Sequence, residues 1–355
     1  MKISIKNLSR KNILLFQEYQ SARKIGGIGD IWLNANECPI GLFFNLRNFC
    51  FNRYPECQPK SLILKYSKYS QIPDKNILVT RGSDEAIELL IKTFCSPKKD
   101  NIITFPPTYS MYSKIAEIYG VNNKQIPILF DKKLDILNIK LHLNNVKLIY
   151  ICRPNNPTGH IINKFDIIRL LQITTHKCLV VIDEAYIEFC YEYNLSHLLL
   201  EFSHLVILRT LSKSFGLAGL RCGFTLAHSD VIGLLRKVIT PYPLASPVID
   251  IASQALSHKY IHVMYKKVFV LNQNKLWLLD QLSKLHIVKK IFESKSNFIL
   301  VKFFSSLNIF KTLWDKGIIV RNQDHEYGLN QCIRISIGTK QECFHLIQVL
   351  KRIYN

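Results

Sequence analysis

The chain has 355 residues, 48% of them hydrophobic and 21% charged, and a net charge of +21 from 47 Lys and Arg against 26 Asp and Glu. This is enough apolar material for a large core and for about two domains at roughly 150 residues each, and it excludes a disordered or fibrous chain. The positive charge is scattered, with only short pairs such as Lys98-Lys99 and Lys132-Lys133 and no basic block interleaved with aromatics, so it reads as a generally basic surface without a nucleic-acid partner.

The N-terminal stretch 1–16 is basic, but its apolar run covers only residues 13–16. That is too short for a secretory signal, and no run approaches the ~18 apolar residues that span a bilayer. Ten cysteines are spread singly with no C-x-x-C pair. The expectation is a cytoplasmic protein with reduced thiols, no metal site and no membrane contact.

Apolar and helix-period stretches then alternate, the pattern of an α/β protein with a largely parallel sheet. Residues 76–80 read as a strand and Arg81-Gly82-Ser83-Asp84 as a turn. Residues 85–94 read as a helix with Ile87, Leu90, Ile91 and Phe94 on one face. A helix start here offers free N–H groups to an anion, although Ser83 and Asp84 are also ordinary cap residues. Strand 101–105 leads into Pro106-Pro107-Thr108-Tyr109, where Tyr109 suits stacking on a flat ring or simple burial in a rigid turn. Strand 147–152 leads into Pro154-Asn155-Asn156-Pro157-Thr158-Gly159, a stiff loop that can present the Asn156 amide at a strand's C-terminal end, where ligands bind in such sheets. Arg153 precedes this loop and is expected to add positive potential near it.

Strand 178–182 runs into Asp183-Glu184-Ala185-Tyr186. A carboxylate at the end of a buried strand is costly without a partner, and a protonated pyridine nitrogen is such a partner. A structural Asp-Glu pair is the alternative. Thirty residues separate Asp183 from Lys213, room for one helix and strand 205–208. Lys213 then sits in a turn, flanked by Ser212 and Ser214 and followed by Arg221. This is the setting of a Schiff-base lysine beside a phosphate site, with an amine that must lose its proton and hydroxyl and guanidinium donors for the anion. Taken in order, these segments point to pyridoxal phosphate.

After Pro241-Tyr242-Pro243 a helical region spans about 248–285, followed by strand-like 297–303 and 332–337. His258 and His262 have metal-binding spacing, but without an accompanying glutamate they read as solvated helix residues. Residues 46–245 are expected to form a large doubly wound domain. Residues 1–45 and 246–355 are expected to form an N-terminal arm and a smaller α+β domain.

The chain resembles the fold-type I aminotransferases of the aspartate aminotransferase superfamily, and within it the histidinol-phosphate aminotransferases. The segments that carry the likeness include Tyr19-Gln20-Ser21-Ala22-Arg23, Trp32-Leu33-Asn34-Ala35-Asn36-Glu37, Asn52-Arg53-Tyr54-Pro55-Glu56, Arg81-Gly82-Ser83-Asp84-Glu85, Asn155-Asn156-Pro157-Thr158-Gly159, Asp183-Glu184-Ala185-Tyr186 and the Lys213 segment. The resemblance implies that Lys213 carries the cofactor and shuttles the substrate proton. It implies that Asp183 pairs with the ring nitrogen, Asn156 and Tyr186 bind the ring oxygen, and Tyr109 stacks on the ring. Ser83, Asp84, Ser212 and Arg221 would hold the phosphate, with Tyr54 reaching the phosphate of a neighbouring subunit in a homodimer. Arg334 matches the superfamily's carboxylate clamp, assisted by Arg321, Tyr19 and Asn36; Arg321 reads almost equally well as a surface ion pair.

The implied reaction moves an amino group between L-histidinol phosphate and 2-oxoglutarate, giving imidazole-acetol phosphate and L-glutamate, in L-histidine biosynthesis. The rival readings are an aromatic aminotransferase or a phospho-amino-acid decarboxylase of the same fold. A pyridoxal-phosphate-binding regulator is more remote, since the aminotransferase-like match leaves no room for a DNA-binding module.

Overall fold

A computed structural model describes residues 5–18, 20, 23–24, 26–46, 51–129 and 133–353. Its centre is a seven-stranded sheet. In spatial order the strands are Ile77–Thr80, Gly223–Ala227, Leu205–Thr210, Leu179–Asp183, Val146–Cys152, Asn101–Thr104 and Asn122–Gln125. All neighbouring pairs are parallel except those made by Gly223–Ala227, which runs antiparallel to both of its neighbours. The inner strands are continuous apolar runs because helices cover both faces. Ile149, Val180, Ile182, Leu205 and Ile207 belong to the core on one side of the sheet, while Leu148, Tyr150, Val181, Val206 and Leu208 belong to the core on the other.

The α/β class and the main strands match the sequence reading, with four differences. The helix expected from residue 85 begins at Gly82 (Gly82–Phe94), because Gly82 takes φ +76° and makes the reversal in one residue. Between Asp183 and the next strand there is no α-helix; two 3₁₀ segments, Ile187–Tyr193 and Ser196–Leu200, fill the gap. The single long helical region is two helices, Ser246–Ala255 and His258–Ser283, with His258 and His262 exposed at the start of the second. Arg153 has a structural role that the sequence does not announce. It is 1% exposed, and its guanidinium donates to the carbonyls of Ile162 at 2.8 Å and Tyr193 at 2.5 Å, pinning the Asn loop to the segment after Asp183.

A second sheet of four antiparallel strands is built from Val288–Ile291, Phe298–Phe303, Cys332–Ser336 and Arg321–Asn322. The N-terminal segment joins this region through Ile31–Trp32, which pairs in parallel with Ile318–Ile319. Residues 34–37 therefore run from this region to the C-terminal ends of the large sheet's strands. Among the described residues, no helix is long and apolar enough to cross a membrane.

The strand ends beside the cleft are locked by a buried ion pair. Glu184 accepts from Arg209 Nε at 2.8 Å and from its terminal nitrogen at 2.6 Å, and Glu184 Oε1 also accepts the Leu195 N–H at 3.0 Å. Arg209 reaches Asn194 Oδ1 at 2.9 Å as well. With every charge hydrogen-bonded, the pair fixes the neighbouring strands that carry Asp183 and lead to Lys213.

Candidate active site

The C-terminal ends of the parallel strands open into a cleft of about 520 Å³, shared by both sheets' regions. Lys213, Asp183, Tyr186, Ser83, Asp84, Tyr109, Asn156, Ser212, Arg221, Asn36, Arg321 and Arg334 all line it. Fifteen or more residues separate most neighbouring members of this set in sequence; the fold brings them to one place. Tyr54 does not line the cleft and is 81% exposed, stacked on Tyr242 at 4.4 Å. Tyr19 lies outside the described residues.

Lys213 follows the strand Leu205–Thr210, and its Nζ donates to the Ala35 carbonyl at 3.1 Å. Burial and then the Arg334 guanidinium lower its pKa from 10.5 to about 8, with Asp84 and Glu37 pulling the other way. At pH 7 roughly a tenth of it is therefore neutral, far more than for an exposed lysine, and an amine nucleophile needs that form. The sign for stability follows. The folded state releases this proton before the unfolded chain does, so the burial cost is full below pH 8 and is relieved as pH rises from about 8 to 10.5. The same titration predicts that the cofactor-free protein captures added pyridoxal phosphate faster as pH rises through about 8. Stopped-flow absorbance checks this, and a rate that is flat between pH 6 and 9 would remove the lysine from the capture step.

Opposite Lys213 lies Asp183, 2% exposed at the end of its strand. Its Oδ1 accepts the Ala185 N–H at 3.1 Å, and its Oδ2 accepts the Tyr112 hydroxyl at 2.7 Å. Burial raises its pKa from 3.8 to about 6, against the pull of those two donors. A buried carboxylate in a cleft is a site for a cationic partner.

One end of the cleft is an anion cradle. Helix Gly82–Phe94 points its N-terminal turn into it, so the Ser83 and Asp84 N–H groups have no partners within the helix. Glycine is required twice here. Gly82 holds φ +76°, which strains any L side chain whatever the space, and a Cβ on Gly223 would stand 2.6 Å from the Gly82 carbonyl carbon. Arg221 pairs with Asp84 at 3.3 Å, and the Tyr109 hydroxyl donates to the other Asp84 oxygen at 2.9 Å. Asp84 thus orients both neighbours with its side chain. Ser212 Oγ accepts from Thr210 Oγ1 at 2.9 Å, which fixes its rotamer.

Toward the second sheet, Arg334 donates to Asn156 Oδ1 and to the Asn34 carbonyl, each at 2.6 Å. With the Asn156 oxygen engaged by a guanidinium, its NH₂ is the end left to donate into the cleft. Tyr186 accepts from Asn36 Nδ2 at 3.0 Å and packs edge-on against Phe298. Asn36 holds a left-handed φ of +54° and also binds Ser336 and Asn297, so it ties the strand segments together as well as lining the cleft. Arg321 donates to the Gln20 carbonyl at 2.9 Å.

The sequence reading missed Tyr112, Glu37, Gln323, His325 and Glu326 and gave Arg23 no role of its own. Arg23 pairs with Glu37 at 3.4 Å and lies over Trp32 at 4.4 Å. Only Tyr112 had a signal in sequence: a buried strand-end carboxylate needs a donor, and a tyrosine stands three residues after Tyr109.

The model of the aminotransferase class I and II family matches residues 45–350. Histidinol-phosphate aminotransferase from Buchnera aphidicola subsp. Schizaphis graminum is 54% identical over 352 residues, 99% of each chain. That from Yersinia pseudotuberculosis serotype O:3 is 51% identical over 98% of this chain and 91% of its own. The chain belongs to the histidinol-phosphate aminotransferases.

Among solved structures, the histidinol-phosphate aminotransferase from Clostridium acetobutylicum has a TM-score of 0.82 at 22% identity, covering 91% of this chain and 98% of that one. That from Sinorhizobium meliloti, in complex with pyridoxal 5′-phosphate, has a TM-score of 0.81 at 18% identity over 99% and 98%. The fold is that of the fold-type I aminotransferases. The enzyme uses pyridoxal phosphate, and the cleft suits it in three respects: an anion cradle whose backbone depends on glycine at positions 82 and 223, a buried carboxylate, and a lysine of lowered pKa.

Proposed function

We propose that this enzyme transfers the amino group of L-histidinol phosphate to 2-oxoglutarate, giving imidazole-acetol phosphate and L-glutamate, as a step of L-histidine biosynthesis. The observation that carries this reading is the coexistence, in one cleft, of Lys213 and Asp183 with Arg23, Arg321 and Arg334. Guanidinium groups recognise phosphate and carboxylate alike, so one site serves a phosphorylated donor and a dicarboxylic acceptor in turn.

Pyridoxal phosphate, when bound, supplies a carbonyl that condenses with amines and a ring that accepts electrons. Ser83 and Asp84 N–H, Ser212 and Arg221 would hold its phosphate, Tyr109 would cover a ring face, and Asn156 and Tyr186 would bind the ring oxygen. Asp183 would hold a proton at the ring nitrogen. Lys213 Nζ would anchor the cofactor and, as a neutral amine, would take the proton from the Cα of the amino donor. In the second half-reaction the same Nζ returns a proton to the Cα of the new amino acid. Arg334 and Arg321 clamp the substrate's anionic end, with Tyr19 and Asn36 assisting.

Tyr54 is exposed and does not line its own cleft, which supports a homodimer in which each subunit's Tyr54 completes the partner's phosphate cradle. In this reading residues 46–245 form the cofactor-binding domain, residues 1–45 and 246–355 form the second, and the enzyme works in the cytoplasm.

The test is the absorbance of the loaded enzyme before and after addition of L-histidinol phosphate without a keto acid. Conversion of the bound cofactor to its amine form is the expected result. A spectrum that ignores histidinol phosphate but responds to an aromatic amino acid, or release of carbon dioxide, would replace this reading by one of its rivals.

A further inference from the structure

A carboxylate as deeply buried as that of Asp183 takes up a proton unless donors stabilise its charge. The Tyr112 hydroxyl is one of only two donors it has among the hydrogen bonds of the described residues, and the shorter of them, at 2.7 Å. Tyr112 has no exposed surface and does not line the cleft, so it touches neither substrate nor cofactor. Its ring is held on two sides. Tyr150 stacks on it at 4.8 Å with an interplanar angle of 11°, and Tyr109 meets it edge-on at 5.6 Å. Tyr150 in turn donates to the Ile87 carbonyl at 3.2 Å, and Tyr109 donates to Asp84, so the phenol's position is tied to the helix that forms the anion cradle.

We infer that Tyr112 is a positioning residue that keeps Asp183 in its charged form and thereby decides whether the proton shared with the cofactor's ring nitrogen rests on nitrogen or on the carboxylate. The physical step is small and balanced. Without the phenol, the carboxylate becomes the more basic partner, the nitrogen–proton bond gives way to an oxygen–proton bond, and the ring turns neutral. A neutral ring is the weaker electron acceptor. Tyr112 is the largest influence favouring the charged form of Asp183, ahead of Ala185 N–H. Lys213 favours that form as well and Asp84 opposes it, while Cys152 and Tyr186 face the same carboxylate as neutral groups. All of these remain when a single hydroxyl is removed.

Tyr112→Phe makes that change and keeps both ring contacts. The inference rests on pyridoxal phosphate only in its second half, so two measurements are paired. In cofactor-free protein with ¹³C-labelled aspartate, the Asp183 carboxyl should titrate near 6 in the parent and about one pH unit higher in the variant. In loaded enzyme with ¹⁵N-labelled cofactor, the ring-nitrogen resonance should move toward the unprotonated position, and kcat should fall about tenfold with KM little changed. Tyr150→Phe removes the bond to Ile87 and keeps the Tyr112–Asp183 bond. It should lower stability and leave both resonances in place. An unmoved Asp183 midpoint in Tyr112→Phe, or an equal shift in Tyr150→Phe, overturns the inference. A moved midpoint with an unmoved ring-nitrogen resonance overturns the part that reaches the cofactor.

Discussion

Replacing Lys213 by alanine should reduce turnover by about 10⁴-fold or more, since both a covalent anchor and a positioned proton carrier are lost. The variant should still fold and bind pyridoxal phosphate. The anion cradle at Ser83, Asp84 and Arg221 and the carboxylate of Asp183 are built on other elements, and Lys213 contributes a bond to the Ala35 carbonyl and a position over the Tyr186 ring at 5.7 Å. Below pH 8 the protein should even gain stability, because the buried ammonium is gone. Lys213→Arg separates charge from nucleophilicity. Arginine keeps a cation there but cannot shed its proton, so it should be as inactive as the alanine variant. Steady-state kinetics with cofactor content read by absorbance decides the matter; an alanine variant with full activity would leave the assignment without its central residue.

Much of this site was legible in the sequence because the chemistry is held in short, stiff, local segments. The run Val180-Val181-Ile182-Asp183 announces a buried strand that ends in a charge, and that is where the structure puts Asp183. The Asn loop and the serine-flanked Lys213 are similarly local, and both stand at strand ends in the cleft. What was not legible depended on contacts between distant segments. Asn122–Gln125 is a strand made of Asn, Asn, Lys and Gln; it lies at the sheet edge and is specified by pairing with Asn101–Thr104, so it carries no apolar pattern. The antiparallel strand Gly223–Ala227 follows Arg221 so closely that it reads as part of the lysine segment. The anchoring role of Arg153 was hidden because sequence gives a charge but not its direction; its guanidinium donates to two backbone carbonyls. Asn36 and Arg334 come within reach of Tyr186 and Asn156 only because the chain's two ends fold together over the large sheet.

Asp183→Asn tests the other half of the chemistry and should lower kcat by about 10³-fold, on the order of 4 kcal/mol of lost transition-state stabilisation. The amide is nearly isosteric and can still accept the Tyr112 hydroxyl, but it presents no negative charge to hold a proton on the ring nitrogen. A loss of packing would give the same kinetic result, so stability has to be read alongside. Asp183 has a folded pKa of about 6 against 3.8 in its unperturbed state, which means the folded protein keeps a proton that the unfolded chain gives up. This group's contribution therefore falls as pH rises from about 4 to 6, and above pH 6 its burial opposes folding by roughly 2–3 kcal/mol. Asparagine carries no such cost. The cofactor-free variant should accordingly be as stable as the parent or more so at pH 8, by chemical denaturation, while the loaded enzyme is crippled. Loss of activity with loss of stability would make Asp183 a structural residue; loss of activity with stability kept or raised would mark a carboxylate held in the core, at a cost to folding, for the charge it offers the cofactor.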